Sequence, residues 1–228
     1  MSISRPSDRS WVGALGEAGW GRLADRLLHG ACHALNGRAT SLSGLLYLLE
    51  SGNRDPSDLY SVFEPEVALL EEVVGLLRLL PDDGAGAEVI VPQEVLPFLS
   101  TALTYQRGLE TMEVRLHIPP DTPAVRCDST LLHRSLLLLV TRVAELGKAR
   151  GAEGVRVTAG DEGGGLLLSF ESVGGVEPVE GAESTSLPFV PLPDELDGIL
   201  VGVLGDWGVA LKPGGKEEVV YRLRFPPP

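Results

Sequence analysis

The chain has 228 residues, 43% of them hydrophobic and 22% charged, the composition of a folded protein long enough for two modest domains. Its formal charge of −13, from 19 basic against 32 acidic side chains, disfavours nucleic acid and anionic membrane as partners, since both select basic surfaces. The longest aliphatic block, Leu136 to Val140, falls far short of the roughly 20 residues of a membrane span. Cys32 and Cys127 form no motif with each other or with histidine, and residues 1–13 lack the apolar core of a signal peptide. A soluble cytoplasmic protein is expected.

Residues 1–16 are mostly small and polar and read as a loose tail. A long helix is predicted from about residue 17 to residue 50. Within it Leu28, Leu35, Leu42 and Leu49 recur at every seventh position, and Ala31, Ala39, Leu45 and Leu46 widen the row into a stripe fit to pack along other helices. With Leu28 at heptad position a, His33 falls at f, the position furthest from the seam. Gly30 and Gly37, three residues before and four after, are its neighbours on the helix surface. An interior glycine costs a helix about 1 kcal/mol relative to alanine. In return it leaves a bare surface that another protein can approach. An exposed imidazole between such glycines suits nucleophilic chemistry with a protein partner.

Residues 51–56 are rich in turn formers, and Ser57 or Asp58 can cap a second helix reaching about residue 80. Val62, Leu69 and Leu76, with Val73 and Leu80, give it a seam of its own. Two long helices with a short connection make an antiparallel hairpin. One hairpin buries only part of two apolar stripes, so a homodimer closing a four-helix bundle is expected.

Residues 81–86 mark a domain boundary by their proline, glycine and aspartate content. Beyond it the pattern predicts a helix over 92–107, a strand over 112–118 and a break at 119–123. A helix from Asp128 or Ser129 to about Gly147 follows, then two strands over 155–159 and 166–171. Residues 177–193, rich in proline, glycine and acid, read as an irregular loop. A helix over 195–207 and a strand pair, 209–212 and 219–225, complete the chain. The predicted class is α+β, a mixed sheet with helices on one side. It divides into a tail (1–16), a helical hairpin (17–82) and an α/β sandwich (88–228).

His33, Leu35, Thr40, Ser41, Leu42 and Gly44 resemble the H-box of sensor histidine kinases, whose histidine is phosphorylated on a dimerising helical hairpin. The element order after residue 88 resembles the ATP-binding domain of the same family. Asp128-Ser129-Thr130-Leu131-Leu132 is similar to the run-up to its N-box, and Phe170-Glu171-Ser172-Val173-Gly174-Gly175 stands where it has the aspartate-and-glycine G1 box. The resemblance spans about residues 17–226 and implies a phosphoacceptor hairpin followed by an ATPase-like sandwich.

The residues that would handle nucleotide differ. Arg142 stands where the family has the magnesium-holding asparagine, and a guanidinium cannot ligate a cation. Ser172 replaces the aspartate that receives the adenine amino group. The segment 187–193, LPFVPLP, replaces the glycine-rich lid, and proline has no N–H to offer a phosphate. The resemblance therefore implies a degenerate ATPase-like domain, without ATP or any other cofactor. The H-box departs too: Ala34 follows the histidine where kinases usually carry an acid. Gly37 stands where they carry the threonine or asparagine used in phosphatase chemistry, with Asn36 one residue away.

His29, one turn before His33, reads as solvated, and no third ligand makes the two a metal site. Arg38 reads either as a phosphoryl contact or as a surface charge. His117 and His133 read as structural, and the acidic residues 177–183 as a solvated loop. The function implied is a histidine phosphotransferase, relaying a phosphoryl group between receiver-domain aspartates through His33. Gly30, Asn36, Gly37, Arg38 and Thr40 would form its docking face. Magnesium is expected on the receiver only, since in-line transfer asks little of the histidine protein beyond an exposed imidazole. The alternative is an adaptor that binds receiver domains or kinases without carrying phosphate, which the loss of the acid at Ala34 favours.

Overall fold

Asp128 starts the element around which the rest packs. Its carboxylate accepts from the backbone N–H of Leu131 at 3.0 Å, capping the helix Ser129–Lys148 (α6). Leu136 to Val140 put aliphatic side chains on every side of this helix, and a helix apolar all round has to be buried. The computed structural model, which describes residues 10–52, 56–78, 80, 86–174, 190–213 and 220–227, has neighbours on every side of α6.

One side is covered by a five-stranded mixed sheet. Its strands are Glu113–His117 (β2), Gly154–Glu162 (β4), Gly165–Val173 (β5), Ala210–Pro213 (β6) and Val220–Arg224 (β7), in the order β2-β4-β5-β7-β6. β2 runs parallel to β4 and every other pairing is antiparallel. The inward row Val155, Val157, Ala159, Leu166, Leu168 and Phe170 packs with Leu136 to Val140 in one core. Two short strands that alternation does not reveal, Ala87–Ile90 (β1) and Val125–Asp128 (β3), pair antiparallel beside α6. The helix expected over 92–107 is two short ones, Pro92–Val95 (α4) and Phe98–Thr104 (α5), because Pro97 interrupts the ladder and becomes the N-cap of the second. Leu196–Gly205 (α7) lies against β6.

His133 on α6 is structural, as expected. Its Nδ1 lies 2.6 Å from the Ser129 carbonyl and its ring 5.0 Å from Phe98. Burial holds its pKa below the ordinary value, partly offset by the Ser129 bond and Glu88.

The N-terminal region corrects the sequence expectation. Residues 10–16, read as part of a tail, belong to the helix Ser10–Glu17 (α1), with Trp11 and Leu15 buried against α6 and α7. Gly19, at φ 98°, separates it from the long helix Trp20–Glu50 (α2). A β-carbon at Gly19 would lie 2.7 Å from Pro193, so both the left-handed turn and the close approach require glycine. Trp11 and Trp20 flank the buried guanidinium of Arg134, its Cζ 5.9 Å and 4.7 Å from their ring centroids, and Arg134 also donates to the Leu80 carbonyl at 3.2 Å. The two indoles lie more than a hundred residues from Arg134 and Leu80 lies 54 away, so local composition gave no sign of the arrangement.

The hairpin itself is as expected: α2 packs along Pro56–Leu77 (α3). Residues 53–55 of its turn, the boundary segment 81–85, residues 175–189 with the acidic stretch and positions 187–189 of the lid-equivalent segment, and residues 214–219 lie outside the described residues.

Trp11 distinguishes a tail from a packed helix. Trp11→Ala should lower unfolding free energy by about 3 kcal/mol, measured by urea denaturation. A change within about 0.5 kcal/mol would mean that residues 10–17 are dispensable to the fold.

Candidate functional site

The first turns of α2 are held by the sandwich, and this sets the position of His33. Leu23 and Leu27 are fully buried, contributing about 2 kcal/mol each. On the same side Arg26 donates to Glu145 of α6 at 2.6 Å and to the side-chain carbonyl of Gln106. The other oxygen of Glu145 accepts from the Leu192 N–H at 3.0 Å. Gln106 in turn donates to Thr141 at 3.0 Å. Two turns beyond Arg26, His33 is exposed on the side of α2 opposite the Leu35 and Leu42 row.

The imidazole does not stand on an open cylinder. His29, Gly30, His33 and Ala34 form one wall of a cleft of about 490 Å³, whose other wall is Thr104, Tyr105, Arg107 and Glu110. That second wall is the turn between α5 and β2, and it is anchored on both sides of Arg107. Gln106 is buried and bonded as above, and the Lys148 ammonium donates to the Gly108 carbonyl. Arg107 itself is exposed, with its guanidinium in no hydrogen bond or ion pair with the described residues. The Tyr105 hydroxyl has a raised pKa, chiefly from burial and then from Glu72, with Arg38 opposing. Sequence reasoning missed this wall, since Arg107 closed a segment read as one continuous helix. The only local sign was Pro97, which ends that helix early.

The predicted docking residues divide. Gly37 has no atom within 4 Å of the place a β-carbon would take, and Asn36 is exposed beside it, so this part of the face is open. Thr40 is exposed, its hydroxyl donating back to the Asn36 carbonyl at 2.9 Å. Gly30 is bare for another reason: a β-carbon there would fall 1.7 Å from the Tyr105 carbonyl oxygen. The chain's own turn, rather than a partner, takes up that surface. Arg38 points toward α3, where one guanidinium nitrogen lies 3.1 Å from both oxygens of Glu66. Its heptad position, d, is a seam position, which is why it faces the second helix. Among the described residues no group of histidine, cysteine and carboxylate is placed to hold a metal ion.

Arg142 and Ser172 are also placed. Arg142 is nearly buried, donating to Asp194 at 3.0 Å and to the Leu192 carbonyl at 3.4 Å. Burial alone would lower its pKa, but bonding to Asp194 and Tyr221 outweighs this and raises it. Tyr221, whose hydroxyl lies 2.9 Å from Asp197, is pushed up to about 12 by burial and by that carboxylate. Ser172 lies in β5 against Gly147, where its β-carbon would be 2.8 Å from one added at that glycine.

No protein-family model and no curated protein matches the chain. Solved structures similar to it include the histidine kinase AdeS of Acinetobacter baumannii, at 16% identity over 85% of this chain and 96% of that one, with a TM-score of 0.45. A histidine kinase from Burkholderia phymatum gives 17% identity over 90% and 97%, with a TM-score of 0.40. The histidine kinase ThkA, solved in complex with the response regulator protein TrrA, gives 18% over 86% and 60%, with a TM-score of 0.46. At these identities and scores none of the alignments assigns a residue or an activity to this chain.

The two glycines beside His33 separate packing from access. Gly30→Ala should destabilise the fold by about 1–3 kcal/mol, the range for an overpacked site, because a backbone carbonyl cannot rotate away. Gly37→Ala should stabilise it by up to about 1 kcal/mol. Thermal unfolding of the two variants gives opposite signs if the cleft wall is seated on Gly30.

Proposed function

We propose that this protein is a histidine phosphotransferase, a dimer that takes a phosphoryl group on His33 from one receiver-domain aspartate and returns it to another, without using ATP. The observation that carries this reading is the position of His33. It keeps the H-box nucleophile where Ala34 and Gly37 replace the acid and the phosphatase residue, and it is held on a rigid helix with its ring exposed at the mouth of a cleft wide enough for a reacting group. In the transfer a ring nitrogen attacks phosphorus in line, the N–P bond forms as the P–O bond to the aspartate breaks, and the carboxylate leaves on the receiver. The receiver brings its own magnesium.

Three features support the absence of nucleotide chemistry. The cationic Arg142 occupies the place that the histidine-kinase resemblance gives to a magnesium ligand, and Asp194 and the Leu192 carbonyl already take its donors. Leu192, at the end of the lid-equivalent segment, is tied to Glu145, and Pro193 is packed against Gly19. The indoles of Trp11 and Trp20 fill space over the same helix. The residues present do not fit ATP with magnesium.

Dimerisation is supported by apolar surface left on the hairpin. Leu28 and Leu46 are 46% and 54% exposed on one edge of α2, and Tyr60, Val67 and Val74, seven residues apart, are 74%, 46% and 42% exposed on α3. Such rows on two neighbouring helices suit a second copy in a four-helix bundle. The adaptor reading draws on Ala34, which leaves the imidazole without an adjacent acid.

His33→Gln should abolish label transfer from phosphorylated receiver domains while leaving the fold intact, and calorimetry should find no ATP binding at millimolar nucleotide. Label still accepted by that variant would remove His33 as the phosphoacceptor, and none accepted by the wild type would favour the adaptor. Independently, light scattering should give twice the chain mass at micromolar concentration, and Leu46→Glu with Val67→Glu should halve it. A wild-type monomer would rule the bundle out.

A further inference from the structure

The transferring phosphoryl group carries its negative charge on three equatorial oxygens, and catalysis of such transfer is mostly positioning and charge stabilisation. His33 offers no donor beyond its own ring, and Arg38, the cation expected near it, is committed to Glu66 on the far side of α2. A different arginine stands in the cleft. We propose that Arg107 is a catalytic residue of the transfer, its guanidinium meeting the phosphoryl oxygens as they pass to His33. This rests on the phosphotransferase reading and names the group that serves it.

Three observations converge on Arg107. It lines the same cleft as His33 although it comes from a different element, the turn after α5. Its guanidinium is uncommitted among the described residues, whereas Arg26, Arg38, Arg142, Arg115, Arg156 and Arg224 each pair with a carboxylate. Arg22, Arg78, Arg126 and Arg222 also pair with no carboxylate among the described residues, but none of them lines the cleft. Its backbone is also preset. Gln106 is clamped by Arg26 and Thr141, Gly108 by Lys148, and the Tyr105 carbonyl rests on Gly30. Two of these ties reach α2, the helix that carries His33, so the guanidinium's root and the imidazole keep a fixed separation. A planar guanidinium suits two phosphoryl oxygens at once, which an ammonium does less well. In the step itself the imidazole lone pair makes the N–P bond and the aspartate carboxylate departs. Arg107 gains or loses no proton.

The test is single-turnover transfer. Purified receiver domains, each charged with radiolabelled phosphoramidate, are mixed with the full chain, and the rate at saturating receiver is separated from the concentration giving half that rate. Arg107→Gln should lower the saturated rate by about a hundredfold, the lower end of the range for losing one oriented donor to a developing anion. The half-saturating concentration should move less than the rate, and Arg107→Lys should recover part of the loss. Glu110→Gln, on the same wall, removes a charge that repels phosphoryl oxygens, so it should raise the saturated rate. If Arg107→Gln transfers at the wild-type rate, or changes only the half-saturating concentration, the assignment is overturned while phosphotransfer stands. If Glu110→Gln slows the step as much as Arg107→Gln, the two form a structural pair and the assignment also falls. No label on the wild type from any receiver would remove the phosphotransferase reading, and this inference with it. Circular dichroism of each variant shows whether a loss is unfolding. Arg107→Lys, which keeps stem and charge, retains the test should the glutamine variant not fold.

Discussion

The pair between Arg26 and Glu145 is the contact on which the rest of the arrangement depends. The two side chains are 13% and 2% exposed, and at 2.6 Å neither has water to fall back on. Desolvating both charges costs much of what their attraction returns, but removing one partner of such a pair typically costs about 3–5 kcal/mol. Each charge also has further partners: Glu145 accepts from Leu192, and Arg26 donates to Gln106. One ion pair thus gathers α2, α6, the turn after α5 and the segment before α7. Its contribution is position as much as stability, since it holds the start of the His33 helix against the sandwich. It adds to the burial of Leu23 and Leu27, which seat the same turns of α2.

That contact explains why the cleft is formed by two parts of the chain. Hydrophobic periodicity assigns residues to helices but says nothing about which helix end is clamped to which turn. The heptad row of α2 was legible, as was the placement of His33 away from it, because both follow from 3.6 residues per turn. A helix starting at Asp128 or Ser129 was legible for the same kind of reason: a short acceptor ahead of an aliphatic run has few other uses. The strands β4 and β5 were found from alternation and the Gly163-Gly164 turn between them. Arg107 was not, because its significance lies in what faces it. Gly30 was misread through the same gap, since a bare helix surface can serve a partner or the chain's own backbone, and only the Tyr105 carbonyl decides between them.

The largest departure, the helix at residues 10–17, has a physical cause. Its sequence, SWVGALGE, has two glycines and too few residues to hold a helix alone in water. Tertiary contact overrides that weak propensity. Arg134 would be costly to bury by itself, and the two indoles supply both apolar cover and a partly negative face for the guanidinium. Deep in the fold aromatic surface and a backbone carbonyl meet this cation, contacts that the order of residues along the chain does not reveal.

The sheet order has a consequence for assembly. Its outer strands are β2 and β6, where unpaired backbone groups could recruit another chain edge to edge. On β2 the residues facing away from the core are Glu113, Arg115 and His117, all exposed, with Glu113 and Arg115 paired at 2.7 Å. A strand laid along that edge would have to desolvate this charged row. β6 is four residues long and ends at Pro213, which has no N–H to extend a ladder. Both edges discourage growth by strand addition, while the exposed aliphatic rows of α2 and α3 invite helical contact.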